Sequence, residues 1–304
     1  MPSLATGEVK LNYLQFGGGE HLVLIHGLGA NLSFWYFGAA RLLARNRSLL
    51  MYDLRGHGRS SMPEQGYGLH QMVRDLVELL DFLAIERADI AGHSFGGRVA
   101  IALAALHPGR VRNLVIADTQ LRALQPPVRL AEWMHWKSWK AELESHGLED
   151  LPDDDSVISH NLLVKLSEAH ANIANRGARI SLRTRDMGEK GLERWQELMT
   201  RTSASRDFED ESFLVPATLK TIATPTLLAF GKFSHCLPTA DRLLECLPNS
   251  RLIVIPGAGH FFPIVKPRVF ARVIDAFLTR QQTGGAPAPV RRRIRRFAAN
   301  RIPV

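Results

Sequence analysis

Short apolar runs alternate with helical patterns along most of the chain, and this alternation constrains the fold more than any other feature. The runs that resemble buried strands are 21–26, 48–53, 87–93, 112–118, 225–230 and 251–256. The helical patterns lie at 33–45, 67–84, 95–107, 240–247 and 267–281. A segment of alternating polar and apolar residues, 8–16, precedes them and is typical of an edge strand. The order predicts an α/β fold with a mostly parallel, twisted sheet and helices on both faces.

Residues 121–216 break this alternation because they contain no convincing strand. Four of the five tryptophans fall in this stretch: Trp133, Trp136, Trp139 and Trp195. We interpret it as a helical insertion between two strands of the sheet. The α/β core is then expected to comprise residues 1–120 and 217–281.

Composition and cysteine content exclude several classes of protein. The 304 residues are 45% hydrophobic and 22% charged, which is typical of globular chains and not of disordered or low-complexity ones. Two cysteines, Cys236 and Cys246, are too few for a disulfide framework. No secretory pattern opens the sequence, and no apolar run reaches the ~18 residues that a membrane span needs. We therefore expect a soluble, cytoplasmic protein.

The basic charge of the chain is concentrated in a C-terminal tail, residues 282–304. Six arginines in this tail account for six of the eight excess positive charges, which leaves +2 for the rest of the chain. The tail is expected to be flexible or to form a basic amphipathic helix, which could meet an acidic carrier protein or an anionic membrane surface. Because the body lacks a basic face, we expect no specific nucleic-acid partner.

The sequence Gly92-His93-Ser94-Phe95-Gly96 carries the strongest chemical signal. It fits G-x-S-x-G between a predicted strand and a predicted helix, the context in which a serine stands on a sharp turn with its hydroxyl exposed. Small residues on either side allow the neighbouring elements to approach closely. The pattern predicts a nucleophilic Ser94.

Two further loops supply groups that such a nucleophile needs. His26-Gly27-Leu28-Gly29 follows a buried strand, and the amide N–H groups of Leu28 and Phe95 are expected to form an oxyanion hole. Near the C-terminal end of the sheet, a small-residue loop presents His260, whose imidazole is suited to take and return a proton.

A fourth motif, Asp53-Leu54-Arg55-Gly56-His57-Gly58, also follows a strand. We interpret Asp53 and Arg55 as residues that fix their loop through hydrogen bonds and an ion pair. His57, His26 and His93 are expected to be structural and not catalytic.

These four motifs, in this order, resemble those of the α/β-hydrolase superfamily. The resemblance covers about residues 9–277, and 121–216 resembles that family's helical cap. It implies the α/β-hydrolase fold, Ser94 as nucleophile, His260 as general base and a chain order of serine, acid and histidine.

The position of the acid departs from the family pattern. The usual aspartate lies between a Gly and a Pro after the strand that precedes the histidine strand, and Ser234 stands there between Gly231 and Pro238. A serine cannot carry the negative charge that stabilises an imidazolium. We favour Asp118, which ends the strand after the nucleophile helix, as the replacement. The alternatives are a dyad in which Ser234 or Cys236 orients His260, and a degenerate site.

Other chemistries lack their motifs. The sequence has no H-E-x-x-H, no clustered His/Asp ligand set and no phosphate-binding glycine loop, so no metal and no cofactor is inferred. His235 and Cys236 are adjacent, and we expect their side chains to point apart, with Cys236 as a small buried residue.

The resulting hypothesis is a serine hydrolase that cleaves an ester, thioester or lactone through an acyl-enzyme. The tryptophans at 133, 136 and 139 share one helical face, and a cap helix of this kind favours a small, apolar substrate. A hydrolase of C–C bonds in vinylogous diketones would use the same site. A non-catalytic ligand-binding protein that kept the fold is the third hypothesis.

Overall fold

A computed structural model describes residues 2–7, 9–132, 136–148, 151–158, 162 and 189–283. In this part of the chain, eight strands form one sheet. They are β1 (Ser3–Thr6), β2 (Val9–Gly17), β3 (Glu20–Ile25), β4 (Arg47–Tyr52), β5 (Ala88–His93), β6 (Val111–Ala117), β7 (Thr226–Gly231) and β8 (Ser250–Ile255).

The spatial order of the strands is β1-β2-β4-β3-β5-β6-β7-β8. The pairs β1–β2 and β2–β4 are antiparallel, and every later pair is parallel. The parallel strands therefore end at the same edge of the sheet, where the loops that follow them meet.

The helices lie between these strands and after β8. They are α1 (Ser33–Trp35), α2 (Arg41–Leu43), α3 (Leu69–Phe82), α4 (Phe95–Leu106), α5 (Trp136–Ser145), α6 (Glu189–Arg201), α7 (Ala204–Asp207), α8 (Pro216–Lys220), α9 (Leu237–Cys246), α10 (Phe262–Val265) and α11 (Pro267–Gln282). The mostly parallel sheet with its helices confirms the predicted fold class.

Two hydrophobic clusters cover the two faces of the sheet. Successive residues of a strand point to opposite faces, so Val23 and Ile25 of β3 join the cluster that contains α3, α4 and α9, whereas Leu22 and Leu24 join the cluster of α11. Because β3 to β7 are buried on both faces, their sequences are continuous apolar runs and not alternating ones.

The structure differs from the sequence prediction in two local features. The prediction missed β1, a four-residue edge strand too short to show a pattern. The helix predicted for 33–45 is broken into α1, a π-helical turn and α2, with non-helical backbone at Gly38 (φ −90°, ψ −115°). A Cβ at this position would lie 3.2 Å from the Ile264 side chain, so the chain bends where it passes close to α10.

The described part of the insertion carries its own small core. Trp136 is 1% exposed, packs with Leu130, Leu143 and Leu162, and donates its indole N–H to Asp154 Oδ1 at 2.7 Å. Trp133, the side chain of Trp139 and the tail from residue 284 lie outside the described residues. The assignment of 121–216 as a cap stays a prediction.

In the part of the chain described, no helix combines the length and the apolar character needed to cross a bilayer.

A buried ion pair anchors the loop after β4 to α3. Arg55 Nε and Nη2 donate to the two carboxylate oxygens of Asp75 at 2.6 and 2.5 Å, and both side chains are almost fully buried. Arg55 Nη1 also donates to the carbonyl of Gly66 at 2.7 Å. Arg55 thus has the fixing role predicted from sequence, with Asp75 as its partner.

We expect Asp75→Ala to lower the free energy of unfolding by about 3–5 kcal/mol, because it leaves the Arg55 charge buried without its counter-ion. Urea denaturation followed by circular dichroism measures the change. The matched control is Asp81→Ala on the same helix, whose side chain is 61% exposed in its pair with Arg110. That exposed pair should contribute less than about 1 kcal/mol, and equal losses in the two variants would contradict the account.

Candidate active site

Ser94 stands on the turn between β5 and α4. Its backbone has φ 55° and ψ −121°, a conformation that residues other than glycine rarely adopt. Its N–H donates to the carbonyl of Ala117 at 3.0 Å, and its own carbonyl accepts from the Thr119 hydroxyl at 3.0 Å. These bonds to the end of β6 hold the strained turn in place.

Glycines on both sides of Ser94 are required by backbone packing. A Cβ on Gly92 would lie within 3.0 Å of the Gly96 carbonyl, and a Cβ on Gly96 within 3.0 Å of the Ile25 carbonyl. Neither obstacle is a side chain that could rotate away. The G-x-S-x-G spacing therefore follows from how closely β5, α4 and β3 approach one another.

The loop after β3 lies directly against the serine. A Cβ on Gly27 would be 2.9 Å from Ser94 Cβ and 3.4 Å from its Oγ. Leu28 is the residue after Gly27 in this loop. Phe95 is the first residue of α4, and amide N–H groups at the start of a helix have no acceptor within it. Phe95 thus adjoins Ser94 and Leu28 follows the glycine that contacts it, and the oxyanion-hole role of both stays a prediction.

Asp118 follows β6 and is fully buried, also with a positive φ of 52°. Its N–H donates to the carbonyl of Ala229 on β7 at 2.9 Å. Its Oδ2 accepts the Gly231 N–H at 2.7 Å, and its Oδ1 accepts the hydroxyl of Ser234. The backbone directs the carboxylate towards the end of the neighbouring strand.

His260 lies next to the Asp118 carboxylate. Its Nδ1 lies 3.0 Å from Asp118 Oδ1, and its side chain is 16% exposed. His93 Nε2 contacts the His260 carbonyl at 2.9 Å, and the His93 ring stacks on Phe34 at 4.7 Å. His93 therefore positions the histidine loop, in line with the structural role expected from sequence.

The hydrogen bonds at Asp118 decide its protonation. Burial by itself raises the pKa of a carboxyl group, but the bonds and charge of His260, together with the Gly231 N–H and the Ser234 hydroxyl, hold the pKa of Asp118 below its ordinary value. Asp118 is thus ionised at neutral pH and can stabilise a protonated imidazole. The network it forms weakens only as pH falls through this lowered pKa.

Ser234 occupies the position where the family pattern has its acid, and it contacts Asp118 instead of replacing it. Its Oγ also accepts the N–H of Cys236 at 3.1 Å. Of the three interpretations left open by the sequence, this geometry favours the one in which Asp118 replaces the acid; the contact of Ser234 with that carboxylate was not predicted.

The Asp53 loop has the fixing role that the sequence predicted. The Asp53 carboxylate accepts the N–H groups of Leu32 and Arg59 at 2.7 and 2.8 Å and the Asn12 amide at 2.7 Å. His26 Nε2 accepts the N–H of Leu54 at 3.0 Å, so it too links the oxyanion loop to this one.

His57 has no contact with the catalytic group among the described residues. Its Nδ1 lies 2.9 Å from the Arg55 carbonyl, and burial lowers the pKa of His57 to about 3. The ring is neutral near physiological pH and packs against Trp195 and Phe208.

The expectation that His235 and Cys236 point apart is wrong. His235 Nε2 lies 3.4 Å from Cys236 Sγ, and Cys236 Sγ lies 3.6 Å from His260 Nδ1. The two residues lie in the loop between β7 and α9, not on a strand, so the alternation of a strand does not separate them. Cys236 is buried as expected, and burial raises the pKa of its thiol well above the ordinary value.

A cavity of about 500 Å³ opens beside the oxyanion loop. Its lining includes residues 29–33, the Asp53 loop and one face of α6, with the basic residues Arg59, Lys190 and Arg194. Two of these cations, Lys190 and Arg194, come from α6 in the insertion, and the lining does not include Ser94, Leu28, Phe95 or His260.

A sequence-family model for the alpha/beta hydrolase fold matches residues 20–267. The chain belongs to the α/β-hydrolase family. This match spans the serine turn, the acid and the histidine loop, and it includes the insertion at 121–216. The resemblance stated from the motifs is confirmed.

Relatives of this α/β hydrolase cleave different bonds. The chain is 28% identical to a candidate carbamate hydrolase, RutD, of Variovorax paradoxus, over 89% of this chain and 96% of the relative. It is 27% identical to 2-hydroxy-6-oxo-2,4-heptadienoate hydrolase of Pseudomonas putida, over 90% and 94%. These relatives support hydrolase activity in general, and they differ in the type of bond named.

A solved structure of similar fold is the enol-lactonase of Burkholderia xenovorans LB400. It superimposes with a TM-score of 0.65, at 22% identity, over 91% of this chain and all of that one. At this identity the likeness shows the fold alone.

Sequence reasoning missed three features of the site. The contact between Ser234 and Asp118 and the approach of His235 and Cys236 to His260 depend on loops that follow different strands. The positive φ of Asp118, which aims its carboxylate, has no signal in the sequence because aspartate adopts such a conformation only occasionally.

We expect Gly92→Ala to cost about 3 kcal/mol of stability, because its methyl group meets the Gly96 backbone and the turn must move. The same change should abolish labelling of Ser94 by a fluorophosphonate. The matched control is Gly109→Ala, where a Cβ meets nothing within 4 Å. That variant should stay within about 1 kcal/mol of the wild type and label normally; a Gly92→Ala protein of full stability and reactivity would overturn the packing argument.

Proposed function

We propose that this protein is a serine hydrolase that cleaves an ester, thioester or lactone bond through an acyl-enzyme. The observation that carries the proposal is the hydrogen bond between His260 Nδ1 and the buried, ionised Asp118, beside a serine on a strained strand-to-helix turn. This arrangement supplies a nucleophile, a general base and a counter-charge for the protonated base.

In the proposed first step, Ser94 Oγ attacks the carbonyl carbon and His260 Nε2 takes the hydroxyl proton. Asp118 holds the proton on Nδ1, which leaves Nε2 free to act as the base. The amide N–H groups of Leu28 and Phe95 stabilise the oxyanion, and each such donor is typically worth about 3 kcal/mol.

Collapse of the intermediate expels the alcohol or thiol, which takes the proton from His260. Water then attacks the acyl-Ser94 ester with His260 again as base, and the carboxylic acid leaves. No cofactor or metal ion is required for these steps. Ser234 is a positioning residue because it acts only through Asp118.

The described part of the insertion bears on the substrate in two ways. The indole of Trp136 is engaged within the insertion's own core, so it does not support an apolar binding surface. The cavity beside the oxyanion loop has Arg59, Lys190 and Arg194 around it, while the Asp53 carboxylate is occupied by its own hydrogen bonds. The lining of this cavity does not include Ser94 or His260, so we infer a preference for a carboxylate-bearing acyl group only where that group extends past residues 29–33 into the cavity.

Hydrolysis of a C–C bond is the second candidate. It is favoured by the likeness to the Pseudomonas putida heptadienoate hydrolase. Water would add across a bond next to a carbonyl, giving a carboxylic acid and a protonated carbon fragment. Product analysis with a vinylogous diketone and a matched ester separates the two bond classes.

The test compares variants on a panel of esters, thioesters and lactones, each as a neutral and a carboxylate-bearing analogue. Asp118→Asn should reduce kcat/KM by about 10⁴, because the amide cannot stabilise the imidazolium and favours the wrong tautomer. Ser234→Ala should cost far less, since Asp118 keeps its bonds to Gly231 and His260. Intact mass during turnover should show one acyl group, located on Ser94 by peptide mapping.

The exposed Asp81→Asn is the matched carboxylate control and should retain wild-type rates. Equal activity of Asp118→Asn and wild type would refute the relocated acid. If the wild type turned over nothing on the panel, labelled no faster with a fluorophosphonate than the denatured chain and yet bound ligands tightly, the non-catalytic binding protein would replace the proposal.

A further inference from the structure

Three potential metal ligands converge next to the proposed catalytic base. His235, Cys236 and His260 each offer one ligand atom, and these atoms lie within 4.8 Å of one another. The thiol sulfur is central, 3.4 Å from His235 Nε2 and 3.6 Å from His260 Nδ1. The hydrolytic mechanism uses neither His235 nor Cys236.

These separations match those around a tetrahedral ion. Zinc binds thiolate sulfur at about 2.3 Å and imidazole nitrogen at about 2.0 Å, so the sulfur and nitrogen ligands of one tetrahedral ion lie about 3.5 Å apart. Both sulfur–nitrogen distances agree with that value, and the two nitrogens lie within 4.8 Å of each other. Thiolate sulfur and imidazole nitrogen are both ligands that zinc uses in proteins.

The loop that carries two of the ligands is fixed by its own hydrogen bonds. The His235 carbonyl accepts the side-chain amide of Gln125 at 2.8 Å, and the Cys236 N–H donates to Ser234 Oγ at 3.1 Å. Such surrounding bonds hold ligands in place and strengthen metal binding. Cys236 is 1% exposed, whereas both histidines are partly exposed, which gives an ion a path from solvent.

We propose that His235, Cys236 and His260 bind one thiophilic divalent cation, with Zn²⁺ as the best match, and that the bound ion inhibits the enzyme. The inhibitory part rests on the proposed function, because it acts through His260. A thiolate with two imidazoles favours Zn²⁺ or Co²⁺ over hard ions such as Mg²⁺, which take oxygen ligands.

Inhibition follows because the ion binds His260 through Nδ1. Coordination at Nδ1 displaces the proton that Asp118 accepts, and a neutral imidazole then carries its proton on Nε2. A protonated Nε2 cannot take the proton of Ser94. Cys236 gives up its thiol proton to solvent as its sulfur binds, so one proton is released for each ion bound.

Metal binding is tested first without any substrate, on the full chain freed of metal with a chelator. Titration with Co²⁺ should give one ion per chain and a thiolate-to-cobalt charge-transfer band, and Zn²⁺ should remove the band by displacement. Cys236→Ala should lose the band, and His235→Gln should weaken binding by at least about tenfold. Cys246→Ala is the matched control and should behave as the wild type, since Cys246 lies outside the cluster.

Inhibition is measured separately as each variant's rate with Zn²⁺ relative to its own rate with chelator. Wild type and Cys246→Ala should lose activity at the Zn²⁺ concentration that fills the site, recover it with chelator and ignore Mg²⁺. His235→Gln should need at least about tenfold more Zn²⁺. The rate of fluorophosphonate labelling at Ser94 gives the same readout without a substrate.

Different results would overturn the metal site, the inhibition and the proposed function. A wild type that binds Co²⁺ through the thiolate but shows no hydrolysis with any substrate would overturn the proposed function and leave the metal site standing. Absence of the thiolate band in the wild type, or its persistence in Cys236→Ala, would overturn the site. Should Cys236→Ala fail to fold by circular dichroism, equal affinity in His235→Gln and wild type would overturn it instead. Full activity with the site occupied would overturn inhibition.

Discussion

The buried carboxylate of Asp118 is the interaction on which the geometry of the site depends. A fully buried charge is costly unless hydrogen bonds compensate it, and Asp118 receives them from Gly231, Ser234 and His260. One side chain therefore joins the ends of β6 and β7 to the histidine loop. Because these strands are parallel neighbours, paired at Ala117 and Ala229, an acid placed after either one can reach the same histidine.

The serine turn and the acid share a physical origin. Both follow parallel strands at the same edge of the sheet, and both hold positive φ angles that their neighbours enforce. Backbone bonds from Ser94 to Ala117 and from Asp118 to Ala229 link these turns in series across β5, β6 and β7. The loops that follow these strands also bring His235 and Cys236 to His260. The arrangement that positions His260 as a base therefore also places two potential metal ligands next to it.

Features that depend on a local sequence pattern were predictable. Features that depend on side chains from separate loops coming together in the fold were missed. Strands β2 to β8 lie within a residue of their predicted bounds because buried parallel strands are short apolar runs. The serine turn was predictable because close backbone packing requires glycine at positions 92 and 96, which gives the motif around Ser94 a fixed spacing. The role of Ser234 and the His235–Cys236 contact were not, since side chains from separate loops meet only in the folded chain. The positive charge beside the oxyanion loop was missed because Lys190 and Arg194 reach it from α6, which lies far along the chain in the insertion.

The central claim is that Asp118 accepts the Nδ1 proton of His260. Proton NMR of the protein with ¹⁵N-labelled histidine observes this proton directly. The account predicts one strongly deshielded imidazole N–H resonance that is absent in His260→Ala, lost or shifted far upfield in Asp118→Asn and retained in Ser234→Ala. A deshielded His260 resonance that Asp118→Asn leaves unchanged would contradict it.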